Sequence, residues 1–236
     1  IEYFDDGKFN AAHNAIDRHM GTGIETKTAL IWENADGKIQ KYTFKEIFQI
    51  SNQVANVLKK LGVKKGDRVF LFLPRIPELY YCFLGILKTG AIAGTLFQAF
   101  GPSGIKDRLE NSAARFLFTH SSLVDRLEKI KKDLPHLEKV IVIDQIFDSF
   151  DFQKELTNSP KDFPVAHMEI SDPAFMLYTS GTTGKPKGVV HAHKAIIQEY
   201  LTAKWVLDIK ADDIYWCTAD PGWVTGVAYE ILGSWA

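Results

Sequence analysis

The chain has 236 residues, of which 46% are apolar and 12% aromatic, enough for a large core, which excludes disordered, collagen-like and coiled-coil proteins. Lys and Arg total 28 against 29 Asp and Glu, a formal net charge of -1. No overall field therefore attracts the protein to nucleic acid or to an anionic membrane, and any anion site is expected to be local.

The cysteines and the apolar runs indicate the cellular setting. Cys82 and Cys217 lie in apolar or aromatic surroundings without metal-type spacing, which predicts small buried side chains in a reducing cytoplasm. No apolar run approaches the roughly 20 residues that a membrane span requires. We therefore expect a cytoplasmic protein with no membrane or nucleic-acid partner, and the sequence does not specify an oligomeric state.

The first predicted elements are a helix and a strand. Thr43 to Glu46 form a capping box, apolar residues follow at helical spacing, and Gly62 stands where a helix commonly ends. Residues 69–73 are a short continuous apolar run, typical of a strand buried on both faces.

The same alternation recurs along the chain. Helices are predicted at 77–88, 103–112 and from Ser121 or Ser122 to Leu134, and strands at 91–97, 115–119 and 140–144. This order predicts an α/β fold with a mainly parallel sheet and helices on both faces. Residues 148–172 break the rhythm and are interpreted as a surface connection.

A loop rich in glycine, hydroxyl and lysine follows the apolar stretch 174–178. Residues 179–188 contain three Thr, one Ser, three Gly and two Lys before the chain returns to Val189 and Val190. Glycines let backbone N–H groups approach a ligand, and hydroxyl and ammonium groups add donors and charge, a combination suited to polyphosphate oxygens. On composition alone, a solvated turn between two strands is about equally favoured.

The spacing of this loop excludes the Walker pattern. Only two residues separate Gly181 from Gly184, and Pro186 follows Lys185 where a Walker loop has Ser or Thr. Because Pro186 disfavours helical backbone at Lys185, no helix is expected to start at this lysine.

Residues 178–188, Y-T-S-G-T-T-G-K-P-K-G, resemble the signature loop of the adenylate-forming superfamily of acyl-CoA synthetases, luciferases and peptide-synthetase adenylation domains. Residues 220–226, D-P-G-W-V-T-G, and residues 14–19, N-A-I-D-R-H, are similar to acetyl-CoA synthetases within it. The resemblance implies part of the large N-terminal domain of the adenylate-forming fold. It also implies an acetate–CoA ligase that uses ATP, Mg²⁺ and coenzyme A.

The resemblance also implies roles for individual residues. Phosphate contacts fall on the residues of the loop, namely Thr179, Ser180, Gly181, Thr182, Thr183, Gly184, Lys185 and Lys187. For Lys185, a solvated turn lysine is an open alternative. Among these, Thr182, Thr183 and Lys187 take the catalytic role of meeting charge on the departing pyrophosphate.

In the second motif, Trp223, Val224 and Thr225 fall where acetyl-CoA synthetases form part of the acyl pocket. A core tryptophan at the start of a helix is an equally weighted interpretation of Trp223. The aromatic or histidine that many relatives carry shortly afterwards is replaced by Val227 and Ala228. Asp220 is interpretable as a turn residue alone.

Two arginines and two histidines outside the two motifs are further candidates for a functional role. Arg126, and more weakly Arg108, resemble positions that meet the nucleotide part of coenzyme A, although ordinary exposed helix arginines are favoured. His191 and His193 have no third ligand nearby in sequence, so we interpret them as the end of a strand and the start of a helix over 193–207, and no metal site is predicted.

The adenine, ribose and catalytic-lysine motifs of the superfamily are absent from these residues. We therefore expect residues 1–236 to be a partial N-terminal, ATP- and acyl-binding domain of a longer ligase without its C-terminal domain. By itself this domain is expected to be inactive. The alternatives are a medium-chain or aryl acyl-CoA synthetase and a non-catalytic nucleotide-binding module.

Overall fold

The structure, a computed structural model, describes residues 1–179 and 184–236. A small antiparallel sheet is followed by a six-stranded sheet with strand order β6-β5-β3-β4-β7-β8. Strands β3 to β7 are parallel, and β8 is antiparallel to β7. The strands are β1 Thr28–Glu33, β2 Ile39–Thr43, β3 Arg68–Phe72, β4 Ile92–Thr95, β5 Phe116–Thr119, β6 Lys139–Val142, β7 Pro173–Thr179 and β8 Lys187–Ala192.

The helices of the described residues are α1 Ala11–Ala15, α2 Phe44–Lys60, α3 Pro77–Lys88, α4 Pro102–Ser112, α5 Val124–Glu128, α6 Phe152–Asn158, α7 Ala195–Trp205 and α8 Val224–Gly226. Helix α8 continues into the π-helix Val227–Leu232. There the N–H of Gly233 donates to the carbonyl of Ala228, five residues back, at 2.7 Å. No described helix combines the length and the apolar character needed to cross a membrane.

The core lies in two layers, one on each face of the large sheet. On β3, Val69 and Leu71 join the layer that includes α2 and α3, whereas Phe70 and Phe72 join the layer of α4 and α5. This alternation follows from the period of two along a strand. It confirms the predicted α/β fold with a mainly parallel sheet and helices on both faces.

The predicted start of α2 is also confirmed. Thr43 Oγ1 accepts from the N–H of Glu46 at 3.2 Å, and the Glu46 carboxylate accepts from the N–H of Thr43 at 2.7 Å. The capping box thus satisfies two N–H groups that the first turn leaves without helical partners.

The helix predicted up to Leu134 is interrupted. It consists of the 3₁₀ turn Ser121–Leu123, helix α5 and the 3₁₀ turn Lys131–Asp133. Ser121 does not cap it, because the ring of His120 accepts from the N–H of Ser122 at 3.1 Å. Pro135 follows Leu134, whose backbone leaves the helical region, as expected for a residue before proline.

The connection predicted over residues 148–172 contains a helix that the sequence analysis missed. Asp151 caps α6 by accepting from the N–H of Lys154 at 3.0 Å. Gln53 on α2 donates to the carbonyl of Leu156 at 2.9 Å and so fixes α6 against the core. The interpretation of this segment as only a surface connection was therefore wrong.

Residues 14–19 tie the start of the chain to distant elements. Asp17 lies 2.6 Å from the ammonium group of Lys88, which is fully buried and also donates to Asn52 Oδ1 at 2.7 Å. The ring of His19 lies 2.8 Å from the carbonyl oxygen of Trp235. The motif is thus part of the internal polar framework of the fold.

Candidate active site

The signature loop connects β7 and β8, an antiparallel hairpin. Thr179 is opposite Lys187, and Tyr178 is opposite Gly188. Thr179, Gly184, Lys185 and Lys187 are exposed, whereas the predicted contacts Ser180, Gly181, Thr182 and Thr183 lie outside the described residues. Lys187 opens a strand, so no helix begins after the loop lysines, as Pro186 predicted.

The base of the hairpin is fixed by packing. The hydroxyl of Tyr178 donates to Asn111 Oδ1 on α4 at 2.8 Å. A Cβ added at Gly188 would lie 3.0 Å from Met176 Cε and 3.3 Å from Tyr178 Cζ, so a side chain there would press on both residues. Gly184 has a φ of +89°, in the left-handed region that favours glycine.

The second motif forms a turn against the carboxyl end of β4. Thr95 Oγ1 donates to the carbonyl of Pro221 at 2.5 Å, and Asp220 Oδ1 accepts from the N–H of Gly222 at 2.7 Å. A Cβ at Gly222 would lie 2.6 Å from the backbone nitrogen of Phe97. Asp220 therefore acts as a turn residue, and only glycine fits two positions later.

Strand β4 pairs with β7, so this turn and the signature loop emerge at the carboxyl ends of neighbouring parallel strands. In open α/β sheets this edge is where ligands bind. The two motifs are 32 residues or more apart in the sequence, and the sheet brings them to one edge.

Trp223 stands immediately before α8 and is 49% exposed. Its ring centroid lies 6.2 Å from that of Phe97. Trp223 is therefore not part of the core that the described residues form, and its role at the acyl pocket stays a prediction.

A cavity of about 210 Å³ lies between α7 and the helix that begins at α8. Val224 and Thr225, two of the three predicted acyl contacts, belong to its wall, whereas Trp223 does not. The lining residues are His191, Ala195, Gln198, Glu199, Thr202, Val224, Thr225, Ala228 and Tyr229.

The cavity contains one buried carboxyl group, that of Glu199. Burial raises the pKa of Glu199 to about 8, so the group is mostly protonated at neutral pH. His191, also a lining residue, stacks on Phe175 with ring centroids 4.5 Å apart, and burial lowers its pKa. Both groups are therefore largely uncharged at neutral pH.

His193 has a structural role, in agreement with the sequence interpretation. Its Nδ1 accepts from the N–H of Ala11 at 3.0 Å, and burial lowers its pKa to about 4. The helix after it begins at Ala195 instead of at His193. Across residues 1–179 and 184–236 no three His, Cys, Asp or Glu side chains are grouped as metal ligands.

Arg75 forms hydrogen bonds with the segment that leads into the second motif, a role that the sequence did not predict. Its guanidinium donates to the carbonyl of Ala219 at 2.8 Å and to those of Cys217 and Thr218 at 3.2 Å. Glu230 lies 3.3 Å from the same guanidinium and accepts from the hydroxyl of Tyr80 at 2.9 Å. A Pro-Arg-Ile-Pro sequence gives no sign of these long-range contacts.

Arg126 and Arg108 are partly buried, unlike the exposed helix arginines that the sequence favoured. Arg126 donates to the carbonyls of Gln98 at 2.7 Å and Phe100 at 3.1 Å. The guanidinium of Arg108 lies 3.9 Å from the centroid of the Phe100 ring. Both tie the layer of α4 and α5 to the segment after β4, and the contact of Arg126 with coenzyme A stays a prediction.

The loop and the turn thus lie at the sheet edge where α/β domains of the nucleotide-binding class hold their ligands. Residues 19–236 match the family of AMP-binding enzymes, and the chain belongs to that family.

Within this family, the chain is similar to proteins named acetyl-coenzyme A synthetase. An acetyl-coenzyme A synthetase of Bacillus subtilis is 48% identical over 97% of this chain, and one of Bdellovibrio bacteriovorus is 38% identical over 99%. The chain spans 40% and 39% of these two proteins.

Solved structures agree on the fold. An acyl-CoA synthetase of Brucella canis superimposes with a TM-score of 0.86 at 29% identity, covering 97% of this chain and 41% of that one. An anthranilate CoA ligase in complex with anthranoyl-AMP gives 0.85 at 30% identity, covering 97% and 42%.

Proposed function

We propose that the chain forms the ATP- and acyl-binding part of an acetate–CoA ligase, an AMP-forming acid–thiol ligase. An acetate oxygen attacks the α-phosphorus of ATP, pyrophosphate leaves, and acetyl-adenylate forms. The thiol of coenzyme A then attacks the acetyl carbon, AMP leaves, and the thiol proton passes to solvent. The acetyl-coenzyme A synthetases that resemble this chain support the proposal.

The proposed work of this chain is mainly electrostatic. Negative charge moves onto the departing pyrophosphate, and preorganised cations and donors stabilise it. Lys187 at the start of β8 supplies an exposed ammonium group, and the hydroxyls of Thr182 and Thr183 supply donors in this proposal. Lys185 and Thr179 flank them, and Val224 and Thr225 contact the acyl group.

Mg²⁺ and coenzyme A also belong to the proposal. Bound with ATP, Mg²⁺ supplies positive charge to the phosphates. Gly184, Lys185 and Lys187 carry no carboxylate. We therefore assign no described residue of the loop to the metal.

One observation carries the proposal: the signature hairpin and the 220–226 turn lie at the carboxyl ends of the paired strands β7 and β4. Its test is acetate-dependent ATP–pyrophosphate exchange by the full-length ligase that carries this chain. We expect Lys187→Ala, and Thr182→Ala combined with Thr183→Ala, to lower the rate about 100-fold or more.

The matched control is Lys194→Ala, an exposed lysine just after β8 that the proposal does not use. Its exchange rate is expected to stay within about twofold of the unsubstituted ligase. Unchanged rates and unchanged Mg·ATP saturation in the loop variants would overturn the proposal. We expect no exchange from the isolated 236-residue chain, and robust exchange by it would contradict its assignment as a partial domain.

The cavity favours a second candidate, an aryl or medium-chain acyl-CoA synthetase. Its volume of about 210 Å³ exceeds the ~150 Å³ of an engineered cavity that binds benzene. The structural similarity to an anthranilate CoA ligase also supports this candidate.

Comparing exchange rates with acetate, propionate, butyrate and benzoate separates the candidates. A preference for acetate supports the first, and a preference for butyrate or benzoate supports the second. ATP binding without exchange for any acid would instead indicate a non-catalytic nucleotide-binding module.

A further inference from the structure

Glu199 is a buried acidic residue whose carboxyl group is not explained by contacts within the described part of the chain. It lies on α7, is only 8% exposed, and belongs to the wall of the cavity. Its Oε2 has no hydrogen-bond partner among the residues that the structure describes. A buried polar atom without a hydrogen-bond partner destabilises the fold. The unpaired Oε2 of Glu199 therefore points to a ligand that donates a hydrogen bond to it.

The hydroxyl groups of Thr202 and Tyr229, which also line the cavity, form hydrogen bonds elsewhere and not with the carboxyl group of Glu199. The hydroxyl of Thr202 donates to the carbonyl of Gln198 at 2.8 Å, so its oxygen is free to accept from the hydroxyl of Tyr229, 2.9 Å away. These two hydroxyls satisfy each other within the protein. None of the described lining residues is a lysine or an arginine that could neutralise a carboxylate.

Among the polar side chains of the described wall, that of Glu199 is buried, whereas His191 is half-buried and Gln198 and Thr225 are exposed. The acyl contacts proposed above, Val224 and Thr225, form another part of the same wall. The two-carbon chain of acetate fills only a fraction of about 210 Å³. An acid that is longer by two or three atoms extends beyond these contacts into space that Glu199 borders.

We infer that Glu199 is a specificity-determining residue for carboxylic acids whose far end carries a hydrogen-bond donor, either a hydroxyl or an ammonium group. The inference rests on the proposed function, because it assumes that this cavity receives the acyl chain. A hydroxyl donates to the Glu199 carboxyl group and leaves the cavity uncharged. An ammonium group instead pairs with the ionised carboxylate, for which the described wall has no other cation.

The test uses three acids with the same number of non-hydrogen atoms along the chain: pentanoate, 4-hydroxybutyrate and 4-aminobutyrate. The kcat/KM of each is measured in ATP–pyrophosphate exchange with the full-length ligase, and acetate is measured in parallel. We expect at least one of the two polar acids to exceed pentanoate by about tenfold, the effect of one buried hydrogen bond.

Two substitutions identify the group responsible. Glu199→Met keeps the length of the side chain without its hydrogen bonds and should abolish the preference for either polar acid. Glu199→Gln keeps a hydrogen-bond acceptor but cannot ionise, so it should retain a preference for 4-hydroxybutyrate and lose one for 4-aminobutyrate. The control is Glu128→Met, an exposed glutamate on α5, which should leave all ratios unchanged.

Calorimetric binding of the three acids to the same ligase provides a second readout that does not depend on turnover. A tenfold affinity advantage for a polar acid that Glu199→Met removes supports the inference even without exchange. If pentanoate is preferred, or if Glu199→Met leaves the ratios unchanged, the inference is overturned. Absence of exchange with every acid, acetate included, contradicts the proposed function and leaves the binding result to decide the role of Glu199.

Discussion

The buried ion pair of Lys88 and Asp17 allows us to predict how much the free energy of unfolding falls when the pair is broken. Burial lowers the pKa of Lys88, and Asp17, 2.6 Å away, acts in the opposite direction. Asp17→Asn removes the counter-charge with little change of shape. Lys88 must then stay charged without a partner or lose its proton.

The cost of losing the proton limits the free-energy penalty that an unpaired Lys88 itself can impose. Starting from the ordinary pKa of 10.5, neutralising a lysine costs about 5 kcal/mol at pH 7 and about 2 kcal/mol at pH 9. Removing one partner of a buried ion pair typically costs about 3–5 kcal/mol. We therefore expect Asp17→Asn to lower the free energy of unfolding by about 3–5 kcal/mol at pH 7 and by less at pH 9.

The assay is urea unfolding of the chain, followed by circular dichroism at both pH values. Combining Asp17→Asn with Lys88→Met should cost less than the sum of the single substitutions, because the double variant leaves no buried charge. The control pair, Lys60 and Glu155, lies at the surface, and Glu155→Gln should change the free energy of unfolding by less than about 1 kcal/mol. A loss below about 1 kcal/mol for Asp17→Asn, or strict additivity in the double variant, would refute this account.

Three further predictions follow from the site. The pKa of Glu199 is raised from 4.5 to about 8, so between these values unfolding releases a proton and stability falls as pH rises. The Glu199→Gln variant cannot release this proton, so its free energy of unfolding should rise relative to that of the unsubstituted chain by up to about 1.4 kcal/mol per pH unit in urea titrations. A difference between the two chains that does not change with pH would contradict the raised pKa. Gly222→Ala should destabilise the chain by about 1–3 kcal/mol because its Cβ meets the backbone of Phe97. The control Gly101→Ala has open space around its Cβ and should change the stability by less than about 1 kcal/mol. Equal melting temperatures of the two variants would disprove the steric argument. Arg75→Leu frees the carbonyls of residues 217–219, which lead into the turn. It should therefore accelerate hydrogen exchange of the hydrogen-bonded amides of Gly222 and Trp223 more than in β3; uniform exchange across both segments would argue against this role.

Local sequence signals predicted the parts of the fold that depend on local interactions. The capping box at Thr43 and the apolar run in β3 are determined by neighbouring residues, and both were confirmed. The strand predicted over 91–97 and the helix predicted over 193–207 are shorter in the structure, Ile92–Thr95 and Ala195–Trp205. Element ends depend on tertiary contacts that a periodic pattern does not contain.

The missed features depend on residues that are distant in sequence. The β1–β2 hairpin contains no fully buried residue, and α6 is held by contacts with α2. Arg75 and its carbonyl partners are more than 140 residues apart. Glu199 looks like any polar residue of a surface helix, and only the packing of α7 against the α8 segment shows that it is buried.

The π-helix after α8 fixes the directions of two side chains that face different partners. A π-turn accommodates one residue more than an α-turn, as a single-residue insertion does. Tyr229, which lines the cavity, and Glu230, which meets Arg75, both lie within it. Deleting one residue here would rotate Tyr229 away from Thr202 or Glu230 away from Arg75, so the extra residue of this turn keeps both contacts in place at once.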